Sequence, residues 1–223
     1  KKDISKGASF RKTIKQLYNK EIIYYFLGFF FFFSAFNILR NVINYYVVII
    51  MKQSTGAVTL ISAIIFGFAA IFFPITNKLT KLFGFKKMML VNLSSIIFGT
   101  VGLIIFKNSN LMIIYTFYAI IGTGISGAAF IFPPAMLSEI STSIASKSGV
   151  SVEGLLFGIQ GFFLKLAFMV QAIISISALV YNSVANANGL KSASYDGVIL
   201  SLIISIFMFI LSMIFYTMKK NEI

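Results

Sequence analysis

Long apolar runs separated by short polar breaks set the pattern of this chain. Crossing the hydrocarbon core of a bilayer as a helix takes about 20 apolar residues. Six runs meet that length, at about 22–51, 57–76, 88–106, 111–137, 154–181 and 197–218. The breaks read KQSTG, NKLTKLFGFKK, KNSN, SEISTSIASKSGVSV and NSVANANGLKSASYD. The pattern predicts an all-α membrane protein with six transmembrane helices over 22–218, a leading segment 1–21 and a tail 219–223. The first run is too long, and lacks the small-residue site, for a cleavable signal peptide. The chain begins with Lys1 rather than Met, so the expectation is a processed chain, a truncated one, or one part of something longer.

Composition agrees. The chain is 58% hydrophobic and only 11% charged, against about 25% in soluble domains. Mean hydropathy is +0.93. It has no histidine and no cysteine, which disfavours zinc, haem and iron–sulfur ligation and removes any disulfide framework. No metal site is expected.

The net charge of +13 raises nucleic acid as a partner, but its placement argues for a membrane surface instead. Seven basic residues precede the first run: Lys1, Lys2, Lys6, Arg11, Lys12, Lys15 and Lys20. Lys78, Lys81, Lys86 and Lys87 lie between the second and third runs, Lys147 after the fourth, and Lys219 and Lys220 after the sixth. In a six-span chain all of these fall on one side, whereas the other side holds Lys52, Lys107 and Lys191. The positive-inside rule then places both termini in the cytoplasm of a multi-pass cell-membrane protein, with anionic lipid as the partner of the basic surface and no nucleic acid.

Arg40 and Lys165 remain, both inside runs. Lys165 lies about 16 Å into its run at 1.5 Å per residue, and Arg40 lies a similar distance from the far end of the first run. Snorkelling would have to cover most of that depth. A charge at mid-membrane costs roughly 2.5–3.5 kcal/mol even on insertion scales, and it usually faces a bundle interior or a wet cavity. Around Lys165, Gly154, Gly158, Gly161 and Ala172 fall on one helical face, with Gln160 and Gln171 nearby. Small residues permit close helix packing, so this face is expected to be covered by protein. Around Arg40, Ser34, Asn37, Asn41 and Asn44 form a polar stripe at helical spacing. One reading is structural, with buried polar groups bonding between helices. The other is a polar pathway or solute cavity lined by Lys165, Arg40, Asn37, Asn41, Asn44 and Gln160. No Asp or Glu lies within a run, although a proton or sodium pathway normally needs one. Either the solute is anionic, or a partner supplies carboxylates. No catalytic constellation or phosphate-binding loop is present, so the chain does not read as an enzyme.

The fourth run ends in PPAMLSEI (133–140), and VEGLLFGIQGFFLKL (152–166) follows Gly149. Pro134, Ala135, Met136, Leu137, Glu139, Gly149, Glu153, Gly154 and Lys165 resemble the segment between the tenth and eleventh helices of a known family. It is that of the melibiose-permease-like glycoside–pentoside–hexuronide:cation symporters of the major facilitator superfamily. SFRKTIKQLYNKE (9–21) is similar to the amphipathic linker before that family's seventh helix, with Phe10, Ile14 and Leu17 on one face. Tyr45-Tyr46, and Pro74 with LFGFKK (82–87), match more weakly. Thr142, Ser151 and Val152 stand where family members usually carry charge.

The resemblance implies the C-terminal six-helix half of a transporter, a three-plus-three inverted repeat with substrate near the midplane between halves. It implies an N-terminal six-helix half, in the same polypeptide or a separate chain, whose carboxylates bind Na+ or H+. Lys165 is then a counter-charge near that site, and no cofactor beyond the coupling cation is expected. Pro133 and Pro134, with Glu139 and Glu153, fall in a gating loop. The prolines should break the end of the fourth helix, and Gly122, Gly124 and Gly127 should soften its middle. The function implied is cation-coupled alternating access moving a sugar- or glycoside-like small solute. Two alternatives stay open: a lipid or amphiphile transporter of the same superfamily, and a six-span subunit or scaffold that transports nothing.

Overall fold

The computed structural model describes residues 20–149, 151–184 and 192–218. The linker expected over 1–21 lies outside the described residues except for its last two positions, and the tail 219–223 lies outside them entirely. Among the described residues every regular element is helical. They are α1 (Lys20–Tyr45), which runs into a π-helical turn (Tyr46–Ile50), α2 (Thr55–Phe83), α3 (Phe85–Ile105), α4 (Leu111–Ala128), α5 (Phe132–Ser148), α6 (Glu153–Leu179) and α7 (Tyr195–Met218). They make six spans long and apolar enough to cross a membrane, with α4 and α5 sharing the fourth.

Two helices outrun their apolar stretches. The α2 helix passes Pro74 and continues through NKLTKLF to Phe83. Apolarity stops at the headgroups, but asparagine, lysine and threonine do not end a helix, and Thr76 and Thr80 are buried. The break before α3 is a single residue, Gly84, at φ +82, a conformation glycine adopts without penalty.

The fourth span corrects the sequence reading more deeply. Its helix was expected to end near residue 137, with a loop to 153. Instead the turn falls at 129–131, and Pro133 and Pro134 open α5, which continues to Ser148. The chemistry explains the position. Neither proline has an N–H, so the carbonyls of Ala129 and Phe130 have no donor four residues on. Proline is tolerated in a first helical turn, where its N–H would be unpartnered anyway. Gly149, at φ +71, caps α5 by donating its N–H to the Ala145 carbonyl at 2.8 Å.

The packing repeats internally. The first span packs on the sixth as the fourth packs on the third, and it packs on the fifth as the fourth packs on the second. The third and sixth pack on each other. Exchanging spans one to three with four to six therefore maps the bundle onto itself. Because three is odd, the second copy runs with opposite polarity, which makes this an inverted repeat. Aromatic rings fill the α1–α7 seam, including Phe31 on Phe215 at 5.5 Å and Phe32 on Phe209 at 5.9 Å. The α4 glycines, expected to soften the helix, are close-approach positions. A Cβ on Gly122 would lie 2.4 Å from the Ile65 carbonyl oxygen, and one on Gly124 would lie 2.5 Å from that of Asn92.

The repeat leaves two equivalent spans thinly covered. Over its most apolar stretch α2 is 17% buried and α6 is 22% buried, against 61% for α1 with its π turn and 67% for the α4–α5 span. The residues singled out by the sequence lie on or beside these spans.

Candidate solute pathway on the exposed polar faces

Lys165 is exposed and sits near the middle of α6, about 18 Å from Glu153 at 1.5 Å per residue. Gly161 and Gly158 lie four and seven residues before it, on the same face. Nothing lies within 4 Å of a Cβ placed at Gly154, Gly158 or Gly161, so no described part of this chain covers the face. The small residues that read as a packing seam border open space here.

Arg40 is also exposed, about 15 Å before Ile50 along the first span at the same rise. It lines a recess of about 130 Å³ between α1, α2 and α4, together with Asn44 one turn on, Ser62 of α2, and apolar walls that include Phe36, Phe66 and Ile125. The stripe around it divides by depth. Ser34 and Asn37 are buried, and Asn37 donates its side-chain N–H to the Phe33 carbonyl of its own helix at 2.7 Å. Asn41 is half-buried, and Asn44 is exposed. The structure therefore gathers Arg40 and Asn44 at the recess, while Asn37, two turns before Asn44 and within about 20° of it around a 3.6-residue helix, is buried at its own depth.

Gln160 joins a different cluster. Its side-chain N–H donates to the Tyr25 hydroxyl at 2.7 Å, and that hydroxyl donates to the Pro133 carbonyl at 2.7 Å. Tyr25 is fully buried. The pair of bonds ties α6, α1 and the first turn of α5 together just past the 129–131 turn. Pro134 is exposed. Glu139 is exposed on α5 in a shallow cleft with Phe85, Ser138, Thr142 and Ser146, so it stands on a helix and not in a loop. Glu153 is the first residue of α6, where its carboxylate meets the positive end of the helix dipole.

Sequence reasoning missed Tyr25 and Ser62. Tyr25 lies in an aromatic run with no polar period, and its partners are 108 and 135 residues away. A buried tyrosine hydroxyl usually takes a partner, but nothing local says which. Deeper in the bundle, the hydroxyls of Thr76 and Ser126 bond at 2.9 Å across α2 and α4. Among the described residues no group of three or more acidic side chains could hold a metal ion.

This arrangement presents two cations at mid-span on faces the six helices leave open, with polar neutral groups beside one of them. A family model described as MFS/sugar transport protein matches residues 2–220 of the chain. No curated protein and no solved structure matches it.

Proposed function

Because the chain belongs to the MFS/sugar transport protein family, we propose that it is the C-terminal six-helix half of a secondary active transporter. That transporter moves a sugar- or glycoside-like solute by cation-coupled alternating access. Both termini lie in the cytoplasm, as the basic residues demand. A second six-helix half covers the open faces of α2 and α6 and supplies the carboxylates for Na+ or H+. The carrying observation is that Lys165 stands near mid-span on a face no described residue covers, while the described acidic residues stand within two residues of a helix start or, for Glu139, on α5 beyond the 129–131 turn.

In this reading Lys165 is the counter-charge of a carboxylate in the other half. It helps hold the empty site neutral and yields when a cation binds. The test is uptake of labelled glycosides by vesicles, with and without an imposed Na+ or H+ gradient, at matched expression. The wild type accumulates solute only under the gradient. Lys165→Ala loses that accumulation by roughly tenfold or more, since a buried carboxylate left without its partner is strongly disfavoured. Lys165→Arg recovers little, because a planar fork does not replace a compact ammonium. Wild-type accumulation by the Ala variant would reduce Lys165 to a packing or snorkelling residue. A stable single-half protein that carries no solute would replace the transporter reading with a scaffold.

A further inference from the structure

The α2–α4 seam has two sides, and one of them faces Arg40. Ser62, Phe66 and Ile125 line the recess there. Ile64, Phe68 and Thr123 stand two residues away from them, about 200° round a helix that turns about 100° per residue. They line a separate groove of about 440 Å³, with Met112, Thr116 and Ala119 of α4. We infer that this groove is a lipid site, which holds one acyl chain from the leaflet opposite the basic loops. The site goes beyond the transporter reading and stands whatever the solute.

The position of the groove sets it apart from the face given to a second half. The Thr123 hydroxyl bonds that of Ser95 on α3 at 2.9 Å, so the groove lies on the α3 side of the seam. Both α2 and α3 pack closely on α4 and touch each other little. A half seated over the recess lies round α2 from this groove and leaves it open to the bilayer. Backbone approach fixes the wall, since a Cβ on Gly122 would lie 3.1 Å from that of Phe68.

The lining suits hydrocarbon. It carries no charged side chain. Thr116 donates its hydroxyl to the Met112 carbonyl at 2.9 Å, and Thr123 donates to the Ile120 carbonyl at 2.8 Å. Both hydroxyls are satisfied within their own helix, so a polar occupant finds little to bond. The remaining hydroxyl belongs to Tyr115, one turn from the start of α4, at the depth where tyrosines meet headgroups.

Length matches one leaflet. From Met112 to Thr123 the groove follows α4 for about 16 Å at 1.5 Å per residue. A hydrocarbon core of about 30 Å gives each leaflet about half that. The α4 helix starts at the end of the bundle away from Lys78, Lys81, Lys86 and Lys87. A chain entering from that leaflet runs along the groove and ends at mid-membrane. It packs against α2 where the protein does so least, since that span is 17% buried. With no charge in the lining, the site holds the chain and is indifferent to headgroup charge. That separates it from adsorption of anionic lipid on the basic surface.

The chain has no tryptophan, so one placed in it reports as a difference from the wild type. The experiment titrates the full protein in detergent with phospholipid brominated in its acyl chains, which quenches tryptophan on contact. It compares Phe68→Trp in the groove with Phe207→Trp on the exposed surface of α7. Phe68→Trp is half-quenched at a lipid fraction roughly tenfold below that for Phe207→Trp, a preference of about 1.4 kcal/mol. Phosphatidylcholine and phosphatidylglycerol give the same result. Adding Ala119→Phe, which fills the groove, removes the difference, and the two single-tryptophan proteins decide the matter if that variant fails to fold. Equal quenching at both positions would mean ordinary boundary lipid and would overturn the inference. A response to phosphatidylglycerol alone would overturn it too, as would a Phe68→Trp signal that no lipid quenches, the mark of cover by a second copy. None of these outcomes touches gradient-driven uptake, so the transporter reading stands or falls separately.

Discussion

Glycine carries two opposite duties in this bundle, and the difference shows at single residues. Gly124 lets α4 approach α3 so closely that a methyl group would fall 2.5 Å from the Asn92 carbonyl oxygen. Gly161 meets nothing within 4 Å. Gly124→Ala must therefore push two backbones apart, and overpacking of this kind costs about 1–3 kcal/mol. Gly161→Ala fills open space and gains up to about 1 kcal/mol of helix propensity. Reversible unfolding in mixed micelles should show the first variant destabilised and the second unchanged or slightly stabilised, and the opposite order would refute the packing described here. The sequence could not separate the two. Both glycines sit at helical spacing among apolar residues, so Gly124 read as flexibility and Gly161 as a seam. Arg40 and Lys165 were legible because a charge in hydrocarbon is costly wherever its partner lies. Asn37 was not, because an asparagine can bond to its own helix, as this one does to Phe33.

At the scale of elements the fourth span is the unusual one. Two prolines remove two consecutive backbone donors, and α5 leaves the turn at 129–131 held to its neighbours by side chains. The Gln160–Tyr25–Pro133 relay is one such tie, joining three helices through one hydroxyl. Hydrogen bonds between membrane helices average about 0.6 kcal/mol each, so Tyr25→Phe should lower stability by only about 1 kcal/mol. An equilibrium between two orientations of α5 would still shift about fivefold for the same energy, since 1.4 kcal/mol is a factor of ten. The expected outcome is a near-normal unfolding midpoint with gradient-driven uptake changed several-fold. A large loss of stability, or uptake identical to wild type, would make the relay merely structural. The prolines were visible in the sequence as a break, but its side was misread. Proline ends a helix from within yet opens one at its first turn, and the apolar count falls away after residue 137 while the helix does not.

The whole molecule has one axis of internal likeness and two open sides. Spans two and five are equivalent under the repeat, and both are thinly covered. The number of spans was legible because bilayer thickness sets the length of every apolar run. The pairing of spans was not, since no short-range signal states that the first meets the sixth. The account turns on whether the open face of α6 borders water or lipid. The chain has no cysteine, so single cysteines placed in it report without background from its own residues. The decisive measurement is labelling of cysteines at Gly158, Gly161 and Lys165 by a charged, membrane-impermeant maleimide, against Ile203 and Phe207 on the exposed surface of α7. The account predicts rapid labelling at the three α6 positions, slowed by a transported solute, with none at the two α7 positions. Absence of labelling at Gly161 and Lys165, or equal labelling at all five, would contradict it.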